Sequence, residues 1–184
     1  SYTPVDSQQL MPYTEKSDGI LLQEGLNEAG ALASWLAAAT SYSHSQKAVL
    51  PLYIYYSMFG FQRVGDLIWA AGDMRARGFL LGATSGRTTL PGEGLQHCDG
   101  QSMMSASMHA HCVSYDVCYA YELAVIMQRG VERMLGENED VFYYLALTNE
   151  AYDMPKMPEG KDCQIEQMIV EGMYPLDGQV HAPN

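Results

Sequence analysis

The sequence predicts an α/β domain of three layers, α/β/α, with helices on both faces of a mostly parallel sheet. Two features carry that prediction. Apolar runs of strand type, AVLPLYIYY, GFLLGA and VFYYLAL, alternate with longer segments of helical period. The runs are apolar nearly throughout rather than at every second residue, which is how strands covered on both faces read. The chain has 184 residues, 47% of them hydrophobic, enough for one sizeable core. Its charge of −12, from 10 basic and 22 acidic side chains, argues against a nucleic-acid surface, which gathers Lys and Arg.

Residues 1–18 are polar, carry Pro4 and Pro12, and read as an N-terminal arm. The α/β domain is expected over 19–150. It opens on GILLQEGLNEAGA, in which Ile20-Leu21-Leu22 is expected as a strand and the alanine-rich 29–40 as a helix. Residues 41–47 read as a polar loop, 48–56 as a strand and 61–77 as a helix with Val64, Leu67, Ile68 and Ala71 on one face. Residues 78–83 read as a buried strand. Residues 84–111 show no clear period and read as one long loop, the kind that is functional or disordered in a small domain. A short strand over 112–115, a helix over 117–135 and a strand over 141–147 follow. Residues 151–184 carry Pro155, Pro158 and Pro175 and read as a tail or linker, with a short helix over 164–170.

Cys98, Cys112, Cys118 and Cys163 form no CxxC pair, so free thiols in a reducing, cytoplasmic setting are expected. No apolar run has the length of a membrane-spanning helix, and no membrane partner is expected. The chain starts at Ser1 rather than Met and so reads as trimmed.

Three stretches carry candidate chemistry. Glu24 and Glu28 lie four residues apart at the expected strand-to-helix junction, where an open α/β sheet places site residues and where a helix dipole favours a carboxylate. YIYYSMFGFQR follows a strand end; Phe59 and Phe61 flank Gly60, where the chain turns, and are expected to face the crevice as surfaces for a flat ring. Tyr56 offers a hydroxyl there, and Arg63 follows. PGEGLQHCDG then presents His97, a proton carrier near neutral pH, beside Cys98 and Asp99. His97, Cys98, His109, His111 and Cys112 include zinc-ligand types, but their spacing fits no structural zinc pattern, so no metal site is expected within this chain. GATSGRTT lacks the Gly-Lys-Ser/Thr ending of a phosphate loop.

Together GLNEAGA, YIYYSMFGFQRVGDLIWAAGDMRARGFLLGATSGRTTL and GEGLQHCDG closely resemble the homodimeric pyruvate dehydrogenase decarboxylating component, over about residues 19–174. The resemblance is to its middle, pyrimidine-binding domain, of the transketolase-like type. It implies thiamine diphosphate as cofactor, with magnesium held by a different domain through a Gly-Asp-Gly loop that this sequence lacks. It implies that Glu28 bonds a ring nitrogen of the aminopyrimidine, that Phe59 stacks on that ring, and that Tyr56 and His97 line the pyruvate pocket; Arg63 is expected to bind the cofactor as well. The implied partners are the remaining domains of the same enzyme, a second copy in a homodimer, and the dihydrolipoyl acyltransferase whose lipoyl group is acetylated. The isolated chain is expected to be inactive. The chain departs from the family pattern at Gln101 and Met103, where His is usual, and at Ala110-His111-Cys112, where Pro-Asn-Cys is usual. The rival reading is a binding or assembly module of the same fold without catalysis.

Overall fold

The apolar runs pair as parallel strands. In the computed structural model, which describes residues 18–85, 90–158 and 164–176, β1 (Leu52–Tyr55), β2 (Phe79–Ser85), β3 (Cys112–Val117) and β4 (Phe142–Thr148) form a sheet in the order β1-β2-β4-β3. Every neighbouring pair is parallel, with Leu52 beside Phe79, Phe79 beside Tyr143 and Cys112 beside Phe142. Alternate residues of each strand point to opposite faces, and both faces are covered except at the edge strand β1, where Leu52 and Ile54 are exposed. Leu80, Phe142 and Tyr144 meet α1 (Glu28–Ala39), α3 (Phe61–Asp73) and α4 (Ser102–Ser107), through Leu32, Trp35, Leu36, Val64, Ile68 and Ala106. Phe79, Leu81, Tyr143 and Leu145 meet α5 (Ala120–Val131) and α6 (Gln164–Val170), through Ile126, Ile165 and Ile169. This is the three-layer α/β/α architecture expected from the sequence.

The N-terminal arm lies outside the described residues except for Asp18, as do Cys163 and the 86–89 part of the GATSGRTT stretch. Within residues 151–184, α6 seals one end of the second core, and the Tyr115 hydroxyl donates to Val170 O at 2.8 Å.

Several elements differ from expectation. Ile20–Leu22 do not form a strand; the three side chains are exposed, and the backbone from 19 to 27 is irregular, with Gly25 at φ +66°. Three apolar residues between glycines satisfy any extended segment, so the run alone could not specify pairing. The strand expected over 48–56 begins only at Leu52. Pro51 has no N–H to give a ladder, and its carbonyl accepts instead from Phe79 N at 2.9 Å and from Trp35 Nε1 at 3.1 Å. The polar loop 41–47 contains a short helix, α2 (Ser41–Ser45), held by hydroxyl contacts such as Ser43 Oγ to Thr40 O at 2.8 Å. The long loop 84–111 contains α4, which is too short to show a period but buries Ser102 and Ala106. The helix expected to end near 135 widens into a different turn over Glu132–Gly136.

Candidate functional site

The site gathers where β1 and β2 end, on the carboxyl side of the sheet where open α/β folds build their crevices. α1 starts there. Asn27 caps it, its Oδ1 accepting from Gly30 N at 3.0 Å, so Glu28 is the first helical residue and its charge lies at the positive end of the dipole. Glu24 turns away: it accepts a hydrogen bond from Ser34 Oγ and packs over Gly30. The two carboxylates therefore have separate partners.

The chain leaves β1 through Tyr56 into a short 3₁₀ turn, Ser57–Phe59, and then into α3 at Phe61. Gly60 makes this turn possible, because a Cβ at that position would overlap the Tyr55 ring. The turn sends the two flanking rings apart. Phe59 stacks on Tyr56 at 5.1 Å with the planes 27° apart. Phe61 instead packs edge-on against Tyr144 at 5.1 Å, so the two rings do not form one surface.

Arg63, one turn into α3, reaches back across this corner. Its Nη1 donates to Glu28 Oε1 at 2.7 Å, and its guanidinium lies 3.9 Å from the Phe59 ring centre. A planar cation is thus held between a carboxylate and an aromatic face. The Arg63 side chain is 50% exposed and that of Glu28 is 18% exposed, so the pair borders solvent.

On the other side of the Phe59–Tyr56 stack, the turn Leu95–His97 brings in His97. The Tyr56 hydroxyl is 2.8 Å from His97 Nδ1, and the two rings meet edge to face at 5.6 Å. Burial, followed by the charges of Glu93 and Cys98, pushes the Tyr56 phenol above its ordinary pKa. It is therefore a neutral hydroxyl at pH 7. Tyr53, next to α1, is pushed up to about 12 by burial first and then by Glu28 and Glu24. Glu93 Oε2 stands 3.4 Å from His97 Nδ1 and orients the ring from the solvent side.

The five residues singled out in the sequence thus form one continuous run of contacts, Glu28 to Arg63 to Phe59 to Tyr56 to His97. Glu93 was missed, although a carboxylate four residues before a histidine on a glycine-rich turn was a readable signal. The Glu28–Arg63 pair was missed as well, because the two residues are 35 positions apart in sequence. Among the described residues, no group of three His, Cys, Asp or Glu is placed to hold a metal ion, and no helix is long and apolar enough to cross a membrane. Cys98, Cys112 and Cys118 are free, and burial pushes the Cys112 thiol up to about 12.

A family model described as the pyruvate dehydrogenase E1 component middle domain matches residues 1–155. The chain belongs to this family. It is 59% identical over 177 residues to the pyruvate dehydrogenase E1 component of Escherichia coli K12, covering 96% of this chain and 20% of that protein. It is 59% identical over 173 residues to the Cupriavidus necator protein of the same name, covering 94% of this chain and 19% of that one. For the Pseudomonas aeruginosa protein the identity is 56% over 176 residues, covering 96% and 20%. The chain therefore spans about one fifth of the length of the curated relatives it matches. The all-parallel sheet between two helical layers is the transketolase-like architecture expected of this middle domain.

Proposed function

We propose that this middle domain supplies the aminopyrimidine side of a thiamine-diphosphate site in a pyruvate dehydrogenase that decarboxylates pyruvate and acetylates the lipoyl group of a dihydrolipoyl acyltransferase. One observation carries the reading: Glu28 and Phe59 already bracket a planar group that donates N–H to the carboxylate and offers its π-face to the ring. That group is the guanidinium of Arg63, which occupies the place that a flat ring between Glu28 and Phe59 would take. The residues present therefore fit the cofactor's ring.

When bound, the cofactor supplies the carbanion chemistry of decarboxylation. The chain's own residues do the rest. Glu28 would share a proton with a nitrogen of the ring, and Phe59 would fix the plane of the ring. Arg63 is the counter-ion of Glu28 and gives up the Phe59 face while remaining at the rim, where half of its side chain already meets water. Across the stack, Tyr56 and His97 form a hydroxyl–imidazole pair able to hold pyruvate by its oxygens and to move a proton to or from one of them. The magnesium and the diphosphate are held by another part of the enzyme, the working form is a homodimer, and the setting is cytoplasmic.

The test is calorimetric titration of thiamine diphosphate with magnesium into the full-length protein, alongside a pyruvate decarboxylation assay. Saturable, magnesium-dependent binding accompanied by decarboxylation is expected. A full-length protein that neither binds the cofactor nor turns over pyruvate would favour an assembly module instead.

A further inference from the structure

Behind the Tyr56–Phe59 turn lies a buried polar cluster that the proposed chemistry does not use. Asp99 Oδ2, the hydroxyls of Tyr55 and Tyr144, and Ser57 Oγ are all buried, and among the described residues none has a hydrogen-bond partner. Asp99 is 5% exposed, Tyr55 7%, and Ser57 and Tyr144 not at all. Tyr55, Tyr144 and Ser57 are neighbours. The Tyr55 and Tyr144 rings stack at 6.5 Å, and a Cβ on Gly82 would lie 2.6 Å from the Tyr144 hydroxyl and 2.9 Å from Ser57 Cβ. The Asp99 charge acts on both phenols, adding to the burial that pushes each of them up. Buried hydroxyls need an acceptor, and none of the four groups reaches another within hydrogen-bond distance.

The other oxygen of Asp99 acts on the backbone. Oδ1 accepts from Ser102 N at 3.0 Å and from Gln101 N at 3.2 Å, at the start of α4. Ser102 Oγ then donates to Ser57 O at 3.3 Å, and Ser57 opens the turn that carries Phe59. His97 lies two residues before Asp99. One buried carboxylate thus sits in the His97 loop and fixes the residue, Ser102, that reaches the other loop.

We propose that Asp99 is a positioning residue that locks the His97 turn to the Tyr56–Phe59 turn through Ser102, whose amide it holds and whose hydroxyl reaches Ser57 O. Its effect on turnover rests on the function proposed above, but its mechanical role does not. Amide hydrogen exchange in the full-length protein separates the two. In Asp99→Ala, exchange should quicken by about tenfold or more both at 57–60 and at 95–98, as for a local opening that has lost its tie. Asp99→Asn should restore most of the protection, since its Oδ1 accepts from the same two amides. Ser102→Ala should quicken 57–60 alone. In the same variants, kcat for pyruvate should fall in Asp99→Ala and recover in Asp99→Asn. Faster exchange confined to 101–108 in Asp99→Ala would reduce Asp99 to a helix cap and overturn the proposal. If Asp99→Ala does not fold, unchanged exchange at 57–60 in Ser102→Ala overturns it. A wild-type protein that binds no thiamine diphosphate would defeat the function proposed above, and the exchange result would still decide this one.

Discussion

Arg63 and Arg77 make nearly the same contacts at opposite ends of the sheet. Each guanidinium lies over an aromatic ring, Arg63 at 3.9 Å from Phe59 and Arg77 at 4.1 Å from Tyr42. Each donates to a carboxylate, Arg63 to Glu28 at 2.7 Å and Arg77 to Asp140 at 2.9 Å. They differ in what surrounds them. The Arg77 side chain is 9% exposed, and it also donates to Met134 O, Asn138 O and Asn138 Oδ1 at 2.9–3.2 Å. It ties the entry of β2 to the entry of β4. Arg63 has Glu28 and the Phe59 face, and water on its other side. The same pair chemistry is a many-armed joint where it is buried and a single half-exposed pair where it borders solvent.

Substitutions can break this contrast at either end. The largest effect is expected at the dry end. Arg77→Ala leaves the buried Met134 O without its donor, leaves Asp140 with only the longer contacts from Arg75 and Tyr42, and empties the space of a buried side chain; it should cost about 3 kcal/mol of local stability, read by native-state hydrogen exchange at the β2 and β4 amides. Near-normal protection in that variant would mean the arginine shell is replaceable and the contrast is false. Next comes the platform of the crevice. Phe59→Ala in the full-length protein should weaken thiamine-diphosphate binding by about 1–3 kcal/mol, measured by calorimetry. Unchanged affinity would reduce Phe59 to packing against Tyr56. The smallest effect is expected for Arg63→Ala. Stability should change by less than about 0.5 kcal/mol, because the pair is half exposed, and cofactor affinity should not fall. A large loss of affinity would instead make Arg63 a direct ligand of the cofactor.

The two ends were not equally legible in the sequence. Phe59, Tyr56, Arg63 and His97 could be picked out because each sits in a short stretch rich in turn residues and aromatics, and their motifs also carried the family. The helices α1 and α3 could be read from their apolar faces. The Arg77 clamp was invisible: its partners Tyr42, Met134, Asn138 and Asp140 come from distant segments, and nothing local marks a buried arginine. The same holds for Asp99, whose burial depends on α4, a helix of 6 residues that lies inside what reads as an unstructured loop. Ile20–Leu22 misled in the other direction. An apolar run looks like a strand whether or not a neighbouring strand exists to receive it, and here the three side chains are exposed.

Under the proposed function Glu28, and not its neighbour Glu24, faces the cofactor ring. The geometry separates the two: Glu28 points across the corner to the Phe59 face, and Glu24 is engaged with Ser34. The direct measurement is hydrogen–deuterium exchange at the thiazolium carbon of the cofactor bound to the full-length enzyme, together with pyruvate turnover, in Glu28→Gln and Glu24→Gln. Glu28→Gln keeps the shape and removes the charge, and should lower both rates by about 10²–10⁴, the usual worth of positioned acid–base catalysis. Glu24→Gln should lower them by less than about tenfold, as for a lost hydrogen bond outside the site. Fast exchange in Glu28→Gln with collapse in Glu24→Gln would contradict the account.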